Sequence, residues 1–336
     1  MNYQPPYTIT PAIVTLVEQI GEAIGRLSVI TDTQDLRLRR INRIRTLRGS
    51  LAIEGNTLNE EQISTILDGK PVVAPPRQVQ EVRNAIKAYD QYPNWNPASE
   101  ADLLEAHAIM TVGLLDAPGH YRSGGVSVAG PTEVLHVAPP ARRVPELMGD
   151  LLGWLKDTDE HALIKSCVFH YEFEFIHPFA DGNGRLGRLW QTAILTGWNK
   201  PFADIPCESL IYARQNAYYD AIAQSSKEGQ STAFISFMLQ TIFEKIKETG
   251  DLTDQDSDQV TDQVTDQVKK LLAAFETLLG KTYSASELMD AVGLSHRPTF
   301  RKTYLPPALS AGLVEMTIPD KPKSRNQKYR RIRGHT

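Results

Sequence analysis

Cysteine is scarce in this sequence. Two thiols, Cys167 and Cys207, stand among 336 residues. They are too few and too far apart for a disulfide scaffold or a zinc site, and they fit a reducing compartment. No apolar run approaches the roughly 20 residues that a membrane-crossing helix needs. No sign of charge dominates either: the formal net charge is −4, which excludes a global pull toward nucleic acid or anionic membrane. Any such site has to be local. The opening stretch MNYQPPYTIT has neither the charged nor the apolar part of a signal peptide, so a cytoplasmic location is expected. A Gly-x4-Gly-Lys stretch is also missing, which excludes the lysine-bearing phosphate loop of P-loop NTPases. What is present is an ordinary globular balance, 41% hydrophobic and 23% charged, in a length that suggests two or three domains.

Helical periodicity covers most of the chain. Ile13, Leu16, Val17, Ile20 and Ile24 mark one amphipathic helix, and Leu38, Ile41 and Ile44 mark another that stops near Gly49. The arginines of that second helix read as a solvated or internally paired face. Further helices are expected over 79–89, 100–115, 144–156, 162–175, 185–196, 208–224 and 232–248. His107, on an apolar face, is expected to be a satisfied core residue. Between them, residues 124–140 break the pattern with two short β-like runs, Val126 to Val128 and Val134 to Val137, which read as a hairpin. Asp-Gln-Val then recurs three times between 258 and 268, a period of four that suits a polar linker or the thin stripe of a helix start. Beyond it, helix, helix-turn-helix and two strands follow the winged-helix order. Seven Lys/Arg against one acid from Pro319 to Thr336 leave that end with a local charge of +6. The patch suits contact with DNA, or equally the docking of a protein partner.

The chemistry concentrates in Ile176–Arg188, IHPFADGNGRLGR. His177 is the one side chain there that titrates near neutral pH, the candidate general base. Asp181 is a hard oxygen ligand suited to Mg2+ on phosphate oxygens. Gly182, Asn183 and Gly184 let backbone N–H groups turn toward an anion at the start of a helix. Arg185 and Arg188 share a face of that helix and can clamp a polyphosphate. Base, metal ligand, anion nest and clamp together describe phosphoryl or nucleotidyl transfer to a hydroxyl.

This stretch resembles the signature HPFx(D/E)GN(G/K)RxxR of the Fic family, with every fixed position present. The resemblance implies a mainly α, Fic-fold helical bundle with a short β-hairpin flap, followed by the winged-helix-like domain. The bundle's N-terminal helical region would be 1–99 and its catalytic core 100–249 (flap 124–140, loop 177–188), while the change of composition at the Asp-Gln-Val repeat sets a linker at 250–262 and a final domain at 263–336. The implied activity is protein adenylylation: AMP passes from ATP to a Ser, Thr or Tyr hydroxyl of a target protein or of the chain itself. His177 would take the hydroxyl proton, and Asp181 would hold Mg2+. Asn183 and the amides of Gly182, Gly184, Leu186 and Gly187 would face the phosphates, and Arg185 and Arg188 would hold the β- and γ-phosphates. Leu135, His136 and Val137 would align a target segment along the flap. Tyr218 and Tyr219 resemble the family's base pocket.

A second motif, Ser50–Asn56 (SLAIEGN), fits the family's inhibitory pattern (S/T)xxxE(G/N). Ser50 and Glu54 lie on one helix face, and Glu54 would occupy the γ-phosphate's seat on Arg188. Alternatives within the resemblance are removal of AMP from a modified target and transfer from another donor. From a different class, the chain would be a DNA-binding regulator acting through residues 263–336. A homodimer fits the resemblance; a membrane partner does not.

Overall fold

The structure is a computed structural model that describes residues 3–31, 36–129, 134–262, 266–278, 282–294, 304–310, 313–318 and 327–331, and singly 296, 299, 300 and 324. It divides into two compact units, 1–250 and 251–336. None of the described helices is long and apolar enough to cross a membrane.

The first unit is helical: α1 (Pro11–Thr31), α2 (Leu36–Ile53), α3 (Glu60–Leu67), α4 (Pro76–Gln91), α5 (Glu100–Thr111), α6 (Val144–Asp157), α7 (Ala162–Ile176), α8 (Asn183–Trp198), α9 (Cys207–Ala213), α10 (Gln215–Glu228) and the first part of α11 (Thr232–Asp262). Local signals set many of the ends. Asn59 and Gln62 form a reciprocal capping box at the start of α3, and the Ser99 side chain accepts from the Asp102 N–H at the start of α5. Prolines open α4 and α6, where a missing N–H costs nothing. Residues 250–262 are helical as part of α11, so the polar repeat begins inside a helix.

α7 is the centre of the core. It is buried on nearly every face, with its buried residues running from Ala162 to Ile176 with few gaps and including His170, Glu172 and Glu174, as expected of a helix enclosed by others. α8 packs back along it. Trp190 of α8 stacks on Trp95, ring centroids 5.9 Å apart, and its indole N–H donates to the Pro97 carbonyl at 2.8 Å.

α2 lies against α9 at Gly49. A Cβ there would fall 2.5 Å from the backbone of Glu208 and Ser209, so only glycine permits the contact, and the contact brings the end of α2 toward α8. Four arginines of α2 are paired with acids of neighbouring elements. Arg40 meets Asp68 at 2.6 Å, Arg39 meets Asp204 at 3.7 Å, Arg48 meets Glu60 at 3.7 Å, and Arg43 pairs with Asp90. Exposed pairs of this kind each contribute about 0–1 kcal/mol.

The hairpin forms from β1 (Ser127–Ala129) and β2 (Val134–Val137), antiparallel, with a register shift after Val128. The turn at 130–133 and the side chains of Leu135 and His136 lie outside what is described. Val137 is exposed.

The second unit has its own apolar core, including Val268, Leu271, Leu288, Phe300, Leu305 and Val314. Helix α12 (Asp266–Thr277) precedes β3 (Tyr283–Ser284), α13 (Ala285–Val292), a helix at Leu305–Ser310, β4 (Val314–Met316) and β5 (Lys328–Arg331), and the sheet order is β3-β5-β4. The three helices and two strands expected from the sequence are present in that order, and the short strand β3, which the sequence did not lead us to expect, lies between the first two helices and joins β5. Of the basic run, Lys321, Lys323, Arg325 and Arg333 lie outside the described residues, and Arg330 is paired with Glu315.

Candidate active site

The motif spans the joint between α7 and α8. His177 caps α7 in the left-handed conformation, φ 49° and ψ 62°, with its N–H donating to the Phe173 carbonyl at 2.9 Å. It is the one non-glycine residue with positive φ among the described residues. Such conformations cluster at functional sites.

Two residues hold the loop that follows. Asn183 clips it: its Oδ1 accepts from the Phe179 N–H and its Nδ2 donates to the Phe179 carbonyl, both at 2.9 Å. The Asn183 side chain is therefore engaged within the loop, where it fixes the turn that opens α8. His107 of α5 holds the loop from behind. Its ring stacks on Phe179 at 3.7 Å, and its Nδ1 accepts from the Gly119 N–H at 2.9 Å. The remaining proton is then on Nε2, which donates to the Asp181 carbonyl at 3.0 Å. Burial pushes the His107 pKa down to about 4, so the ring is neutral and structural, as its apolar face suggested.

Gly182 turns the chain into α8 at φ 89°, where a Cβ would fall 2.9 Å from the Thr111 side chain. The first amides of α8 have no partners inside the helix. Asp181 stands at this end, with Oδ1 accepting from Arg185 Nη2 at 3.0 Å and Oδ2 facing Arg77 Nη2 at 3.4 Å. Arg185 is buried, and its Nε has no hydrogen-bond partner. Leu186 is core, and Gly187 packs against α7.

Arg188 joins the two sequence motifs. It is buried, and its Nη2 donates to Glu54 Oε1 at 2.8 Å and to the Ser50 carbonyl at 2.9 Å, while its Nε donates to Ser50 Oγ at 3.3 Å. Burial works against its charge, but Glu54, Tyr218 and Glu174 together more than offset it and hold the guanidinium above its usual range. The end of α2 is fixed beside it. Asn56 donates to the Gln78 carbonyl at 3.1 Å and to Glu81 at 2.8 Å, and Gly55 turns at φ 87°. A Cβ on Gly184 would lie 2.3 Å from Glu54 Oε1. The Glu54 carboxylate therefore rests directly over the glycine nest at the start of α8.

The tyrosine pair is divided. Tyr218 is fully buried, T-shaped against Phe234, with its hydroxyl against His170 Nε2 at 3.1 Å. It belongs to the core and offers no face to a nucleotide base. Tyr219 is half-buried and accepts from Gln215 Nε2 at 3.4 Å, and the same Gln215 nitrogen donates to the Ile53 carbonyl at 2.9 Å.

Sequence reasoning missed Arg122. Buried between the loop and the hairpin, it donates to the carbonyls of His177 at 2.7 Å, Gly124 at 2.8 Å, Pro139 at 2.5 Å and Ile176 at 3.2 Å. One guanidinium thus ties both roots of the flap to the end of α7. The available signal was a single arginine in a glycine-rich stretch, GHYRSGG, with no acid beside it. Arg77 was missed as well, because its partner Asp181 is 104 positions away.

Comparison with known proteins agrees with this geometry. Residues 97–195 match the Fic/DOC family, and residues 266–331 match the C-terminal domain of Fic-like proteins (filamentation induced by cAMP). Two proteins named protein adenylyltransferase Fic are similar: that of Aedes aegypti, 27% identical over 66% of this chain and 45% of its own length, and that of Culex quinquefasciatus, 30% identical over 56% and 38%. The chain thus spans less than half the length of these curated relatives. Fic-1 of C. elegans shares the fold, with a TM-score of 0.57 at 21% identity over 73% of this chain and 72% of that one. A crystal structure of a Fic family protein from Desulfovibrio desulfuricans G20 matches end to end, 50% identical over 99% of this chain and 100% of the other, with a TM-score of 0.74. With both of its motifs meeting at Arg188 and a full-length relative at that identity, the chain belongs to the Fic family.

Proposed function

We propose that this chain is a protein adenylyltransferase, moving AMP from ATP to a Ser, Thr or Tyr hydroxyl of a target protein or of itself, and that Glu54 restrains it. The observation that carries the reading is the Glu54 carboxylate on Arg188, over Gly184. It puts a negative group where a terminal phosphate would sit, at a helix start built to attract one.

In this reading the triphosphate runs along the first turn of α8. Arg188 and Arg185 take the outer phosphates, and the unpartnered Arg185 Nε is a buried donor that a bound anion would satisfy. The target hydroxyl loses its proton to His177 as its oxygen bonds to the α-phosphorus. The bond from that phosphorus to the bridging oxygen breaks, and pyrophosphate leaves. Asp181 fits Mg2+: it is one hard, partly exposed carboxylate, and among the described residues no group of three or more His, Cys, Asp and Glu gathers as a protein-only cage. Magnesium is commonly held by one carboxylate plus substrate phosphates, and it would supply charge neutralisation there. Arg77 and Arg185 would yield Asp181 to it. Strand β2, with Leu135, His136 and the exposed Val137, would take an extended target segment as an added strand.

Incubation with ATP labelled in the α-phosphate tests the restraint. Glu54→Gly is expected to raise incorporation on the order of 100-fold, the cost of holding a reacting atom about 1 Å out of place. Mass spectrometry should show an AMP adduct. A phosphate adduct, or loss of AMP from a modified target, would redirect the reading to another reaction on the same fold. Unchanged incorporation would remove Glu54 as the restraint.

A further inference from the structure

Glu174 is a buried acid without an evident purpose. It lies one turn before His177 on α7, with its side chain 6% exposed. Its Oε1 has no hydrogen-bond partner. That oxygen stands 4.0 Å from His170 Nε2, and a Cβ on Gly187 would come within 3.0 Å of it. A carboxyl in such a place works against folding, and a leucine would pack without that cost. Its other oxygen, Oε2, is 3.7 Å from His177 Nδ1. The Nδ1 edge of His177 is itself buried, so it faces Glu174 rather than an incoming substrate.

Resting on the reading of His177 as the base, we infer that Glu174 is a positioning residue for it: its carboxylate takes the Nδ1–H and so leaves the Nε2 lone pair for the incoming hydroxyl. The present 3.7 Å is ion-pair distance, and a shift of under about 1 Å brings it to a charge-assisted hydrogen bond. Contacts of this kind are often long before substrate binds. The protonation state decides the tautomer. An ionised Glu174 accepts from Nδ1–H. A protonated Glu174 donates to Nδ1, the ring proton then sits on Nε2, and the ring cannot act as a base. During transfer the hydroxyl proton goes to Nε2, and Glu174 faces the resulting imidazolium without taking the proton itself.

The surroundings of Glu174 support this division. Burial pushes its pKa up to about 8, with Arg188 favouring its charge and Glu54 opposing it. Tyr218 and Tyr219 also face it, both held neutral by burial. His170 is neutral and occupied, its Nδ1 on Gln191 Oε1 at 2.8 Å and its Nε2 against the Tyr218 hydroxyl. His177 is therefore the group near Glu174 that gains from its charge during the reaction.

The test uses the full chain in the Glu54→Gly background, measuring labelled-AMP transfer and ATP affinity from pH 6 to 9. Glu174→Gln is expected to lower kcat on the order of 100-fold, to leave the KM for ATP within about twofold, and to remove the rise in kcat toward alkaline pH. Glu174→Asp should recover part of that rise. A Glu174→Gln variant with unchanged kcat and pH profile overturns the inference. So does a parallel loss of ATP binding, which would mark Glu174 as structural. His177→Ala separates the two levels: transfer persisting there overturns the base assignment, and this inference with it.

Discussion

Two helix ends present a carboxylate toward Arg188, and they are built in opposite ways. At the end of α2, Glu54 is about one-third exposed and contacts the guanidinium at 2.8 Å. Near the end of α7, Glu174 is buried, and its nearest ring nitrogens stand at 3.7 and 4.0 Å. A rim carboxylate can exchange its arginine for water at small cost, because solvation replaces the lost partner. An enclosed one has no such exchange. The first arrangement suits a displaceable restraint, and the second suits a fixed neighbour whose charge is tuned by its surroundings.

The largest effect should come from removing the residue both ends look toward. In the Glu54→Gly background, Arg188→Ala is expected to cut labelled-AMP transfer by about 100- to 1000-fold, the usual range for deleting a donor that meets developing or transferred charge. In the otherwise unchanged chain the same substitution should not activate. If Arg188→Ala alone activated the protein as Glu54→Gly does, Arg188 would be only a latch for Glu54, and the contrast between the two ends would lose its common centre.

A smaller effect should separate anchoring from tuning at the end of α7. Arg122 fixes the His177 and Ile176 carbonyls to the flap roots at Gly124 and Pro139, whereas Glu174 faces the ring. Arg122→Ala is therefore expected to lower kcat/KM for the target by about 10- to 100-fold through misplacement of both loop and flap, with the pH profile unmoved. A changed pH profile in that variant would show that the two residues do the same work.

How much of this was legible beforehand follows the range of each interaction. The helices around Ile13–Ile24 and α7 were readable because apolar spacing is local. The motif residues were readable because a glycine turn, a histidine and two arginines lie within one short stretch. Glu54 was readable through its own short pattern, and its pairing with Arg188 came from the resemblance. Arg122, Arg77 and Glu174 were not, since their partners are distant in sequence or, for Glu174, hidden by a plain helical context. Tyr218 misled for the same reason: adjacent tyrosines look alike on paper, and only packing against Phe234 and His170 assigns one to the core. Asn183 was placed in the right loop, but its two hydrogen bonds to Phe179 needed coordinates.

The smallest effect is on stability and depends on sign. Burial pushes Glu174 up to about 8 and Glu172, which accepts from the Tyr3 hydroxyl, up to about 7. Above the usual carboxylate range and below these values, the folded chain keeps protons that the unfolded chain has released. Stability contributed by these groups is therefore present at low pH and is lost as pH rises through about 7 and about 8. The buried neutral rings of His107 and His170 act the other way, but only below the ordinary histidine value of 6.5. The clean window is thus from 6.5 up to about 8. Across it, thermal or denaturant unfolding of the natural chain should show falling stability. Glu174→Gln should remove about 1–2 kcal/mol of that fall and leave the shallower part due to Glu172. Parallel curves for the two proteins would mean that burial does not hold the Glu174 proton, and the tuned, enclosed carboxylate at the end of α7 would lose its chemical basis.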